Sequence, residues 1–217
     1  MEVYQAHRGV FCETEKEIVM ELIAHRINRL EELRALPEHF GVELDLRDQG
    51  DQLIMVHDPF SGGEDFESYL KEYRHGTLIL NIKSERIEPK VQQLIEKYKI
   101  PNYFYLDSSI PMIVQLSKGG LSKIAVRVSE YESLETVMRF RGLVDWVWVD
   151  CFSRIPLTSA EFKTLKSAGF KLCFVSPELQ GQPEKIEEYR DFLKENEMFM
   201  DAICTKEYNA SKWLEGA

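Results

Sequence analysis

The sequence has no two cysteines in the close spacing of a metal clip, no long apolar run and no dense stretch of basic residues. Each absence removes a class of function. Cys12, Cys151, Cys173 and Cys204 stand far apart, which argues against zinc and predicts buried free thiols. The apolar runs, such as Leu53 to Val56 and Trp146 to Val149, are only a few residues long. A membrane-spanning helix needs roughly 20. The first residues carry Glu2, Glu13, Glu15 and Glu17 and lack an apolar segment ending in a small-residue cleavage site, so a cytoplasmic location is expected. Lys and Arg number 27 against 37 Asp and Glu, a net charge of −10. Nucleic acid and anionic bilayers are poor partners for such a chain, because both are bound through clustered cations that displace counterions.

What is present suits a folded domain. Of 217 residues, 44% are hydrophobic, enough for a core and too many for a disordered chain. Short β-rich runs recur: Glu21 to Arg26, Gly41 to Arg47, Leu53 to His57, Thr77 to Lys83, Asn102 to Asp107, Lys123 to Ser129, Trp146 to Phe152, Lys171 to Ser176 and Ala202 to Lys206. Between most of them lie segments of helical periodicity: Glu64 to Tyr73, Glu88 to Tyr98, Pro111 to Lys118, Tyr131 to Arg139, Thr158 to Ala168 and Pro183 to Glu195. Thr158 is placed to cap its helix. Runs as uniformly apolar as Trp146-Val147-Trp148-Val149 belong to strands covered on both faces, which predicts an α/β fold with a parallel sheet. Gly50-Asp51 leaves too short a connection for a crossover helix, so the second and third runs should form a β-hairpin. Counting that hairpin as one position leaves eight β units, as in a small (β/α)8 TIM barrel; an open doubly wound sheet is the alternative. We expect residues 1–19 to be an N-terminal extension and 20–217 a single domain.

Polar residues stand at the ends of these apolar runs, and in a parallel barrel all those ends face one side, where barrel enzymes place their active sites. Glu43 and Asp45 are two apart on a strand and so share a face, from which both carboxylates can reach one hard cation such as Mg2+ or Ca2+. His25 and His57 flank them in sequence at strand tips. Imidazoles take and give protons near neutral pH, which together with a cation and Arg or Lys suits phosphoryl chemistry. His39 and His75 fall in loops and are assigned no chemistry. Ser108 and Ser109 are expected to cap the following helix.

The series His25-Arg26, Glu43-Leu44-Asp45, His57-Asp58-Pro59 and Asn81-Ile82-Lys83 resembles the glycerophosphodiester phosphodiesterase and phosphatidylinositol-phospholipase-C-like TIM-barrel superfamily. That family carries His-Arg-Gly, Glu-x-Asp, His-Asp and Glu-x-Lys at these places. The resemblance implies catalysis by His25 and His57, metal binding by Glu43, Asp45 and Asn81, and phosphate binding by Arg26 and Lys83. Asn81 stands where the family has its third metal carboxylate, so a weakened site for Mg2+ or Ca2+ is expected. Ile27 stands where the family has Gly, which makes a positive φ costly there. Arg127, Trp148, Asp150 and Glu178, at later strand ends and loops, are candidates for binding the rest of the substrate.

These readings make the chain a phosphodiesterase of small soluble diesters, glycerol- or sugar-linked, with histidine acid–base catalysis that proceeds through a cyclic phosphate. A non-catalytic phosphate-binding module on a degenerate barrel is the alternative, and an isomerase or aldolase using Lys83 is a third reading. A second His-Arg-Gly, His7-Arg8-Gly9, competes with His25-Arg26-Ile27 for the first site position. We assign His25. Deleting residues 1–19 is therefore expected to leave both the circular dichroism spectrum and turnover intact. Loss of activity in His7→Ala, with His25→Ala tolerated, would reverse the assignment.

Overall fold

A computed structural model of the chain describes residues 20–214. The order is β1 (Glu21–Ala24), α1 (Leu30–Ala35), β2 (Gly41–Gln49), β3 (Gln52–Met55), β4 (Glu64–Asp65), α2 (Phe66–Glu72), β5 (Leu78–Ile82), α3 (Glu88–Lys97), β6 (Tyr103–Leu106), α4 (Ile110–Lys118) and β7 (Ala125–Val128). It continues with α5 (Leu134–Met138), β8 (Trp146–Val149), α6 (Ser159–Ser167), β9 (Lys171–Val175), α7 (Ile186–Glu195), β10 (Ala202–Thr205) and α8 (Ala210–Leu214). This is the expected α/β alternation around a mostly parallel sheet. His7 and Cys12 lie outside the described residues.

β1 pairs in parallel with β2 on one side and β10 on the other. From β2 the parallel ladder continues through β5 to β6, and from β10 through β9 and β8 to β7. β6 and β7 meet at one bridge, Tyr105 to Ile124, where the Tyr105 N–H donates to the Lys123 carbonyl at 3.0 Å. β2 extends past this layer and turns at Gly50-Asp51 into antiparallel β3, with Leu46 opposite Met55.

Period-two alternation sorts the side chains. Val42, Leu44, Leu46, Leu78, Leu80, Val147, Val149, Leu172 and Phe174 join the larger apolar cluster that includes helix residues such as Leu33, Val91, Ile113 and Leu165. Their neighbours Ile23, Ile79, Phe104, Ala125, Trp146, Trp148, Cys173 and Cys204 form a second, separate cluster on the other face. There the Phe104 and Trp146 rings stack at 4.6 Å. Cys151, Cys173 and Cys204 are buried free thiols, as their spacing predicted.

Local chemistry explains where elements start and stop. Thr158 caps α6 in a capping box with Glu161, whose carboxylate accepts the Thr158 N–H at 2.8 Å. The periodicity at Glu64 predicted helix, but Glu64 and Asp65 pair with Met55 and Ile54, and α2 begins at Phe66 with Asp65 accepting the Ser68 N–H at 2.7 Å. Ser109 stands at the N-cap of α4 but makes no side-chain cap bond, so the capping role expected of that serine pair is not filled. The predicted segment Tyr131 to Arg139 shortens to α5, because Ser129 gathers the Tyr131 and Glu132 N–H groups into a turn at 3.1 Å. α1 and α8 are too short to leave a periodic signal.

Beyond β7, the Glu130 carboxylate accepts the Phe152, Ser153 and Arg154 N–H groups at 3.2, 2.7 and 2.9 Å, tying down the loop after β8. Burial alone would raise this carboxyl, but donation by these backbone groups outweighs it and brings the pKa down to about 2. A carboxyl held below its unfolded value stabilises the fold above the unfolded pKa, and that contribution is lost as pH falls towards about 2. Glu130→Ala is expected to cost about 1–3 kcal/mol at pH 7 by urea denaturation. The gap from wild type should close as the pH is lowered from 4.5 towards 2. A pH-independent gap would show that the carboxylate charge does not hold the loop.

Candidate active site

Because β2 alternates, Leu44 goes to the helix side and Glu43 and Asp45 to the other face, where both are fully buried. On the adjacent strand Asn81 lies beside Asp45 in register and Lys83 follows β5. A buried carboxylate must find donors. Glu43 takes one from the Asn81 amide to Oε1 at 2.7 Å and one from the Arg26 backbone N–H to Oε2 at 2.8 Å, with His25 Nε2 at 3.7 Å. Asp45 Oδ2 accepts from the Asn28 amide at 2.9 Å, and Asn28 in turn accepts the Asp45 N–H at 2.9 Å. Arg26 Nε lies 3.7 Å from Asp45 Oδ2, and Lys83 Nζ 3.8 Å from Oδ1. Burial raises both carboxyls above the usual range, and for Asp45 the neighbouring Glu43 adds to it.

The chain achieves this with strained backbone at a strand tip. Arg26 takes φ 58°, in the left-handed region, and the Ile27 N–H returns to the Glu43 carbonyl at 3.0 Å. The sequence makes a positive φ costly at Ile27, and the chain does not adopt one there; the positive φ falls on Arg26. Asp107, at the tip of β6, is left-handed as well, with φ 59°. Left-handed residues other than glycine persist only where their surroundings hold them, and Arg26 and Asp107 are two of six such residues among those described.

His25 sits beside this carboxylate pair with its Nδ1 buried and without a hydrogen-bond partner. Burial, then the positive charges of Lys206 and Arg26, bring its pKa down to about 3. The imidazole is thus neutral at pH 7. Lys206, after β10, donates to the His25 carbonyl at 3.2 Å.

A cavity of about 660 Å³ at this end brings together His25, Arg26, Glu43, Asn81 and Lys83 with Arg127, Trp148, Asp150 and Glu178. Lys83 pairs with Asp107 at 3.0 Å, and Arg127 is clamped between Asp107 and Asp150. Asp150 also accepts from Gln180 at 2.7 Å. Glu178 accepts the Thr205 hydroxyl at 2.5 Å and the Lys206 N–H at 3.0 Å, so it fixes the end of β10 rather than offering free oxygens. Asp45 lies behind this lining. His57 stands apart: it lines an adjoining cavity with Asn28, Arg29 and Glu64, its Nδ1 is 2.7 Å from Asp58, and among the described residues only Arg26 borders both cavities. His75 Nε2 donates to the Leu36 carbonyl at 3.0 Å, away from the site, and His39 packs on Phe40.

Sequence reasoning missed Asn28 and Lys206 as site residues. Lys206 stands at a strand tip and carries the same signal that found the others. Asn28 acts through hydrogen bonds that no spacing reveals.

Asp45 Oδ1 and Asn81 Oδ1 are buried oxygens without hydrogen-bond partners. With Glu43 they give two carboxylates and an amide oxygen, a donor set that fits a hard divalent cation. Among the described residues no three His, Cys, Asp or Glu side chains gather as metal ligands; the third oxygen of this set belongs to an amide.

No family model matches the sequence, and no curated protein does either. Solved structures do. A glycerophosphodiester phosphodiesterase from Agrobacterium tumefaciens is 13% identical with a TM-score of 0.60, over 92% of this chain and 100% of that one. A glycerophosphoryl diester phosphodiesterase from Parabacteroides distasonis is 12% identical with a TM-score of 0.62, over 93% of this chain and 88% of that one. Likeness at this identity is likeness of fold: the chain has the α/β fold of these glycerophosphodiester phosphodiesterases.

Proposed function

We propose that the chain is a phosphoric diester hydrolase of the glycerophosphodiester type, acting on a small soluble diester at the His25–Glu43 end of a (β/α)8 barrel. The observation that carries this reading is the buried cluster of His25, Glu43, Asp45 and Asn81 beside Arg26 and Lys83, on a fold shared with such phosphodiesterases. Barrel closure is supported by the pairing of β1 on both sides and by the Tyr105–Ile124 bridge.

In this reading Arg26 and Lys83 seat the phosphate. Neutral His25 takes the proton from a hydroxyl of the substrate, which attacks phosphorus in line. His57, reached past Arg26, protonates the departing oxygen. Water then opens the resulting cyclic ester. Glu43, Asp45 and Asn81 would hold Mg2+ or Ca2+, which when bound neutralises charge on the phosphoryl oxygens. The amide at Asn81 and the separate cavities of the two histidines favour a second reading, a binding module without turnover.

Turnover of a diester with an adjacent hydroxyl separates the two. Phosphorus NMR should show a transient cyclic phosphate, and His25→Ala should slow its formation by on the order of 10²–10⁴. Binding without any hydrolysis would establish the module. The metal set has its own test. Asn81→Glu adds a carboxylate beside Glu43, so without metal the variant should melt below wild type, and Mg2+ or Ca2+ should bind it more tightly by calorimetry and restore the melting temperature. Unchanged or weaker binding would show that position 81 does not face a cation.

A further inference from the structure

Asp107 and Arg127 line a second cavity as well as the central one. It measures about 890 Å³ and lies between the segment after β6 and the turn that leads into α5. Its lining is half apolar and half polar. At its rim Tyr131 is 83% exposed and Phe152 37% exposed, and their rings meet edge to face with centroids 5.6 Å apart. The fold gains little from two rings left in water. The Phe152 backbone is nevertheless anchored, by the Glu130 carboxylate and by Gln182, which donates to its carbonyl at 2.8 Å.

The other side of the cavity carries hydroxyls that the fold leaves unused. Ser108 is 8% exposed, and its Oγ is buried without a hydrogen-bond partner. A buried hydroxyl left unpaired is costly, so this one has a use for a donor or acceptor brought by a ligand. Ser109, at the N-cap of α4, makes no side-chain cap bond. Asp107, between the two cavities, is one of the left-handed residues described above.

Aromatic faces opposite hydroxyls and charges suit a ring that is apolar on its C–H faces and hydroxylated at its edge. A three-carbon alcohol would fill little of the volume, and an acyl chain would leave the Ser108 hydroxyl unmatched. We propose that this cavity seats a pyranose ring, the saccharide half of a diester whose phosphate lies in the central cavity. The placement of the phosphate rests on the phosphodiesterase reading; the aromatic and hydroxyl lining is independent of it.

The test compares three phosphorothioate diesters that resist hydrolysis: a hexopyranosyl phosphoglycerol, a bis-glycerol phosphate, and a short-acyl glycerol diester. Affinities are measured by calorimetry at saturating Ca2+. Wild type should bind the hexosyl ester about tenfold more tightly than the bis-glycerol ester. Tyr131→Ala with Phe152→Ala, both at exposed positions, should abolish that preference and leave the bis-glycerol affinity unchanged. Equal binding, no binding of either, a preference that survives the double variant, or a preference for the acyl ester would each overturn the subsite. Turnover of the corresponding oxygen diesters is read separately. Preference without turnover upholds the saccharide subsite and removes the hydrolase reading, whereas turnover without preference removes the subsite alone.

Discussion

A fully buried carboxylate sets the terms for this end of the molecule. Glu43 cannot be solvated where β2 places it, so it needs donors from its neighbours, and it finds them on both sides: the Arg26 backbone at the tip of β1 and the Asn81 amide on β5. Those bonds fix the positions of three adjacent strands relative to one another. They also hold Arg26 in its left-handed conformation, which sets the direction of the chain beyond His25. The histidine, the arginine and the carboxylates are therefore one mechanical unit, and a change in any of them is felt by the others.

The charge arrangement follows from the same burial. Arg127 is saturated by Asp107 and Asp150, while Glu178 is spent on the tip of β10. Arg26 approaches its nearest carboxylate oxygen only to 3.7 Å, and Lys206 is held by a carbonyl. Positive charge with room to turn to an anion is thus concentrated beside His25, although the chain as a whole is acidic. An overall charge of −10 says little about the potential inside one cavity, because neighbours within a few ångströms dominate it.

Much of this was legible in the sequence. Uniformly apolar runs separated by helical segments were enough for the α/β alternation, and the Glu43–Asp45 spacing placed both carboxylates on the same face. The free thiols and the Thr158 cap followed from spacing and residue type. Elements with little local signal were missed: α1 and α8 are too short for periodicity, and Glu64–Asp65 is a strand only because β3 offers it an edge. Ile27 stays out of the left-handed region, as its side chain requires, and Arg26 turns the chain instead, a placement that residue type alone does not announce. His57 and His25 looked like partners in sequence, yet β3 carries His57 off the parallel layer and into a neighbouring cavity. Hydrogen-bond partners such as Asn28 are set by tertiary contact and leave no trace in composition.

The central claim is that a phosphodiester binds with its phosphorus between Arg26 and Lys83, within reach of His25. A crystal structure with a hydrolysis-resistant phosphorothioate diester tests it directly, since sulfur marks the phosphoryl group by anomalous scattering. The account predicts that signal in the central cavity, beside the His25 imidazole and the buried Glu43–Asn81 pair. Anomalous signal confined to the His57 cavity, or a central cavity that stays empty at saturating ligand, would contradict it.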